Sequence, residues 1–113
     1  MSKKSALMWA LPVAVEERLR GLGANLRVAR VRRGLTIQAA AEKIGVSRFA
    51  IMAAEKGKPS TGVAVYLAML WAYGLLDDAA GLANPLADRA GLALEGANQR
   101  QRVRQSEALD DDF

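Results

Sequence analysis

The sequence predicts an all-α protein, on three observations. Hydrophobic residues make up 51% of the 113-residue chain, but Ala dominates them and aromatics reach only 5%. Small apolar residues without β-branched runs favour helices over sheets. Leu19, Leu22, Leu26 and Ala29 recur at three- and four-residue steps, which lays one apolar stripe along a helix. Residues 36–57, TIQAAAEKIGVSRFAIMAAEKG, read as two short helices joined by a tight turn centred on Gly45. A chain of this length is expected to form one domain with a self-sufficient core.

Residues 13–33 predict a first helix, continuous or broken near Gly21 and Gly23, with Gly34 as its left-handed terminator and cations in its last turn. Leu35 is an apolar staple before the Thr36 cap. The second helix is predicted over Ile37–Ile44. Gly45 ends it, Val46 plugs into the core and Ser47 caps the third helix, predicted over 48–56. On that third helix Ile51 and Ala54 face inward, and Arg48, Phe49, Met52 and Ala53 point out. After a loop at 58–62, Ser60 or Thr61 is expected to cap a fourth helix over 63–73, with Val63, Leu67, Leu70 and Trp71 on one face and Trp71 and Tyr66 in core and rim. A short fifth helix over 76–82 carries Asp77 and Asp78 near its start.

Asn84-Pro85 breaks the chain. Residues 86–97 are weakly apolar and suggest a strand that pairs across a dimer. Residues 98–113 lack core-forming content and are expected to be unstructured when free and to order on a partner. The resulting organisation is an N-terminal arm (1–12), a helical domain built around the two-helix segment (13–83), a dimerisation or partner-binding extension (84–97) and a tail (98–113). In the arm, Lys3 and Lys4 precede a six-residue apolar run, too short for a convincing export signal. No apolar run approaches the roughly 20 residues of a membrane span, and a soluble cytoplasmic protein is expected.

Composition narrows the chemistry. The chain has no Cys and no His, which removes disulfides, thiolate sites and the commonest acid–base residue, so no cofactor, no metal and no enzymatic activity are expected. Charge is lopsided. From Arg18 to Lys58 ten Lys or Arg face two acids, a net of +8; from Pro59 onward four Arg face eight acids, a net of −4. The basic excess overlies the two-helix segment and suits a phosphate backbone.

With Arg30, Gly34-Leu35-Thr36, Gly45-Val46-Ser47, Ile51 and Glu55-Lys56-Gly57 in register, residues 22–75 resemble the Xre/Cro-type helix-turn-helix family. The resemblance implies a five-helix, lambda-repressor-like helix-turn-helix domain with a partly ordered C-terminal extension. The run YLAMLWAYGLLDD, followed by Asn84-Pro85 and an Arg-bearing tail, is similar more specifically to HipB-like antitoxins. The implied function is a sequence-specific regulator that binds double-stranded DNA as a homodimer and represses its own promoter, with a HipA-like kinase toxin as further partner. A phage or mobile-element repressor without a toxin is the alternative, as is a protein-binding module that uses the apolar face of the third helix.

The resemblance also implies residue roles. Arg30 and Glu55 match a structural ion pair. Arg48, Phe49, Met52 and Ala53 match the base-reading face of the recognition helix, with the Arg48 guanidinium suited to the two acceptors of guanine. Thr36, Gln38, Lys43, Ser47, Lys56 and Lys58 match phosphate contacts that set register without reading sequence. The chain departs from the family pattern at Ile37, where Gln is common, at Ala40, where a larger apolar residue is common, and in the apolar character of Phe49, Met52 and Ala53. With so few polar readers, DNA shape is expected to supply much of the selectivity.

Overall fold

The computed structural model describes residues 10–111, and the chain divides into two units between Ala79 and Ala80. The first holds four α-helices: α1 (Val13–Arg32), α2 (Ile37–Ile44), α3 (Arg48–Glu55) and α4 (Val63–Ala72), followed by a 3-10 turn (Leu76–Ala79). The second holds α5 (Arg89–Asp111). The described residues are all-helical, with no strand and no helix long and apolar enough to cross a membrane. Most of the N-terminal arm, residues 1–9, lies outside the described residues.

The helix boundaries follow from capping chemistry. Thr36 Oγ1 accepts from the Ala39 N–H at 3.0 Å and Ser47 Oγ from the Ala50 N–H at 3.3 Å, so each short helix has one orphan donor satisfied at its start. Gly45, at φ 74°, turns the chain out of α2: its N–H bonds to the Glu42 carbonyl, and the next N–H, of Val46, reaches back to the Ala41 carbonyl. The same pair of bonds closes α1, α3 and α4 at Gly34, Gly57 and Gly74. α1 runs unbroken through Gly21 and Gly23. α4 is capped by Gly62, not by Ser60 or Thr61, and receives no side-chain bond.

α3 is the hub, packed against α1, α2 and α4, while α4 also rests on α2. Ile51 and Ala54 of α3 are consequently 0% exposed. They lie in a core with Leu26 and Ala29 of α1, Ala40 and Ala41 of α2, and Tyr66, Met69 and Tyr73. Burial of a side chain the size of Ile51 contributes about 1.5–3 kcal/mol. The small residues of α2 allow close helix approach, and this is what Ala40 supplies where a larger residue is common.

Further expectations change. The buried edge of α4 is Tyr66 and Met69, continued by Tyr73 at its C-cap; Trp71 (60% exposed) and Val63 (69%) face out. The fifth helix expected over 76–82 is a single 3-10 turn, because Gly81 and Asn84-Pro85 follow too closely for a longer helix and Leu82, 72% exposed, gains no burial by extending it. No strand forms over 86–97: residues 86–88 lead into α5, which begins at Arg89 and continues as a helix to Asp111 through most of the tail expected to be unstructured. Ala90, Leu92 and Leu94 alternate as in a strand. Their residue types are helix formers, no β-branched residue lies in 86–97, and Asp88 Oδ1 accepts from the Gly91 N–H at 2.9 Å to open the helix.

Candidate nucleic-acid interface

The Arg30–Glu55 pair fixes how α3 is presented. Arg30 is 7% exposed. Its Nε donates to Glu55 Oε2 at 2.6 Å and its Nη2 to Glu55 Oε1 at 3.0 Å, while Nη1 donates to the Leu35 carbonyl at 2.8 Å. The backbone carbonyl of Arg30 also accepts from the Leu35 N–H. One residue of α1 thus clamps the end of α3 and the turn that feeds α2. The hydrogen bond to Glu55 raises the Arg30 pKa further above its ordinary value, against the opposing effect of burial. Beside the pair, burial and then the Glu55 charge raise the Tyr73 pKa, and its hydroxyl is buried without a hydrogen-bond partner. Arg33 lies over the Tyr73 ring at 5.8 Å.

Helical periodicity sends the opposite side of α3 outward. Ser47 and Arg48 are exposed and Phe49 is 64% exposed, whereas Met52 and Ala53 are half-buried. The outward apolar surface of α3 is therefore mainly one ring. The Arg48 guanidinium lies over that ring, 5.0 Å from its centroid. Such stacking leaves the edge of the guanidinium, with its N–H donors, free to meet acceptors.

The other candidate contact residues lie on α2, at the N-cap of α3 and at and beyond its C-terminal end. Thr36 and Gln38 stand at the start of α2 and Lys43 in its last turn, all exposed. The hydroxyl oxygens of Thr36 and Ser47 accept cap bonds, so each O–H remains available to donate to a phosphate oxygen. Gln38 Nε2 donates to Glu42 Oε1 at 3.2 Å, which ties one of its donors down. Lys56 caps α3 and Lys58 follows in the loop, both exposed. Among the described residues no His, Cys, Asp or Glu side chains cluster as metal ligands would.

Sequence reasoning missed two features. Gly23 is where α1 meets the end of α3: a Cβ there would lie 2.5 Å from the Ala54 carbonyl oxygen and 2.6 Å from that of Glu55. Gly57 plays the reciprocal part, with Arg20 N and Leu19 O each 2.6 Å from its would-be Cβ. Two glycines on facing backbones are the one sequence signal for this contact, and Arg20 is brought beside Lys56 and Lys58 by it.

Residues 21–82, more than half of the chain, match the protein family described as "Helix-turn-helix domain". The chain belongs to this family. The function class is accordingly that of a DNA-binding regulator. No curated protein and no solved structure matches the chain.

Proposed function

We propose that this helix-turn-helix protein is a sequence-specific transcriptional regulator that binds a palindromic operator as a homodimer and represses its own promoter. The observation that carries the reading is the first turn of α3: a capped, outward helix start with Arg48 stacked on exposed Phe49, on the second helix of the motif. Arg48 reads guanine through O6 and N7, discriminating by about 1–3 kcal/mol against other bases. Phe49 holds the fork from behind and offers its free edge to a thymine methyl. Met52 and Ala53, half-buried, contribute contact rather than readout. Thr36, Gln38, Lys43, Ser47, Lys56 and Lys58 grip phosphates. One recognition helix covers only a few base pairs, so two copies bind half-sites roughly 34 Å apart.

The similarity of residues 66–78 to HipB-like antitoxins supports the further reading that a HipA-like kinase toxin is the second partner and that toxin supply sets repression. A kinase-like gene beside this one is the expected neighbour; a phage or mobile-element gene there would favour the plain repressor.

Footprinting on the region upstream of the protein's own gene tests the proposal. The wild type protects a palindromic site, and Arg48→Ala loses preference for it while weak nonspecific binding survives. No protected site would sink the autorepressor. A protein-binding module would show affinity that barely responds to salt, whereas DNA affinity falls about linearly in log–log form.

A further inference from the structure

We propose that Arg20, Lys56 and Lys58 form a binding cleft for a backbone phosphate of DNA, and that Glu16 occupies Arg20 until the phosphate displaces it. The inference rests on the DNA-binding reading above and extends the contact surface to α1, outside the two helices of the motif. An open cleft of about 390 Å³ has Glu16 and Arg20 of α1 on one wall and Lys56, Lys58 and Pro59 on the other. Buried Gly57 builds it. The would-be Cβ of Gly57 lies 2.6 Å from Leu19 O and Arg20 N, so the loop backbone rests directly on the α1 backbone and its two flanking lysines are held beside Arg20.

The charge balance of the cleft points to an anion. Among the described residues three cations share it with one carboxylate. That carboxylate is engaged: Arg20 Nη2 donates to Glu16 Oε1 one turn earlier on α1. The Arg20 side chain is 68% exposed and that of Glu16 41%, so this is an (i, i+4) surface pair of the weak kind. A phosphate entering the cleft finds two ammonium groups that pair with no carboxylate among the described residues, and a guanidinium fork whose remaining N–H groups suit phosphate oxygens. In the free protein Glu16 offsets the mutual repulsion of the three cations. In the complex the phosphate takes over that role, and Glu16 becomes an opposing charge. Lys56 is the residue that closes α3, so the cleft adjoins the C-terminal end of that helix.

The test is anisotropy titration of a labelled duplex over a range of salt with the full-length wild type, Arg20→Gln, Glu16→Gln and the double variant. Arg27→Gln removes the same charge from the same helix at an exposed position that does not line the cleft, and serves as control. Arg20→Gln is expected to weaken binding and to flatten the log–log salt slope by about one, the contribution of one phosphate; Arg27→Gln leaves the slope unchanged. Glu16→Gln tightens binding several-fold, and this gain vanishes when Arg20 is also Gln. A slope for Arg20→Gln equal to the wild type, or a Glu16→Gln gain that persists without Arg20, overturns the cleft alone. A wild type that binds no duplex overturns the DNA-binding reading itself. Because both side chains are exposed, thermal melting is expected to match the wild type in every variant.

Discussion

α1 and α5 are helices of similar length, 20 and 23 residues, both rich in Ala, Leu and Arg, and they stand at opposite ends of the packing scale. α1 buries Gly23, Leu26, Ala29 and Arg30 against the rest of the first unit. None of the described residues of α5 is buried, and Leu92, Leu94 and Val103 are exposed. Composition does not separate the two; partners do, since Val13, Val15, Val28 and Val31 of α1 are exposed as well. The α1 stripe of Leu19, Leu22, Leu26 and Ala29 keeps to one face and meets α3. The apolar residues of α5 are scattered around its axis, and the helix is carried by intrinsic propensity. Charge follows the same division. Arg30 in α1 is sealed into a two-point pair with Glu55, whereas the arginines of α5 stand in solvent.

The largest expected effect breaks the packed side of this comparison. Glu55→Ala leaves the Arg30 guanidinium buried and unpaired, with a cost of about 3–5 kcal/mol. Thermal unfolding should show a drop of many degrees, together with loss of DNA binding as α3 loses its anchor. A melting temperature equal to the wild type would mean that the pair contributes nothing to the fold. Removing a surface pair such as Arg20–Glu16 should cost less than about 1 kcal/mol.

The next effect tests close approach. Gly23→Ala adds one methyl at a point where two backbone carbonyl oxygens lie within 2.6 Å of it. Backbone cannot swing aside as a side chain can, so α1 must move off α3. Overpacking of this kind costs about 1–3 kcal/mol, which outweighs the roughly 1 kcal/mol that Ala gains over Gly in a helix. Denaturant melts should show a net loss; a net gain would mean that α1 and α3 do not meet here.

How much of this was legible in the sequence depends on the range of the contact. The two caps, the Gly45 turn and the inward Ile51 and Ala54 are local features of a 22-residue stretch, and they could be read from spacing. Arg30 and Glu55 lie far apart in the chain and became a pair only through the family resemblance. Gly23 could not be read, because the reason for it is a pair of carbonyls more than thirty residues away. α4 misled for a different reason: in VAVYLAMLWA no charged residue marks the outer face, so Trp71 and Tyr73 could not be sorted. In α5, even-numbered apolar residues imitated a strand, and only the absence of β-branched side chains argued otherwise. At the interface, the sequence named the turn carrying Arg48 and Phe49. That the guanidinium stacks on the ring, and that Met52 and Ala53 are partly covered, depends on side-chain packing that periodicity alone does not encode.

The smallest effect reverses the sign of the same substitution. Gly96→Ala in α5 meets only the flexible end of Arg100, whose Nη1 would lie 3.5 Å from the new Cβ, an ordinary contact. Nothing opposes the intrinsic preference of Ala, so helix formation in α5 should gain up to about 1 kcal/mol. The helical circular dichroism signal should rise slightly, while the cooperative melt of the first unit stays in place, since none of the described residues of α5 is buried. A Gly96→Ala variant that lowers helicity, or that shifts the main melt as Gly23→Ala does, would mean that α5 is packed in solution. The contrast between a helix held by contacts and a helix held by propensity would then fail. Paired measurement of the two glycine variants is the sharper form of the test, since one methyl group added to two similar helices should push stability in opposite directions.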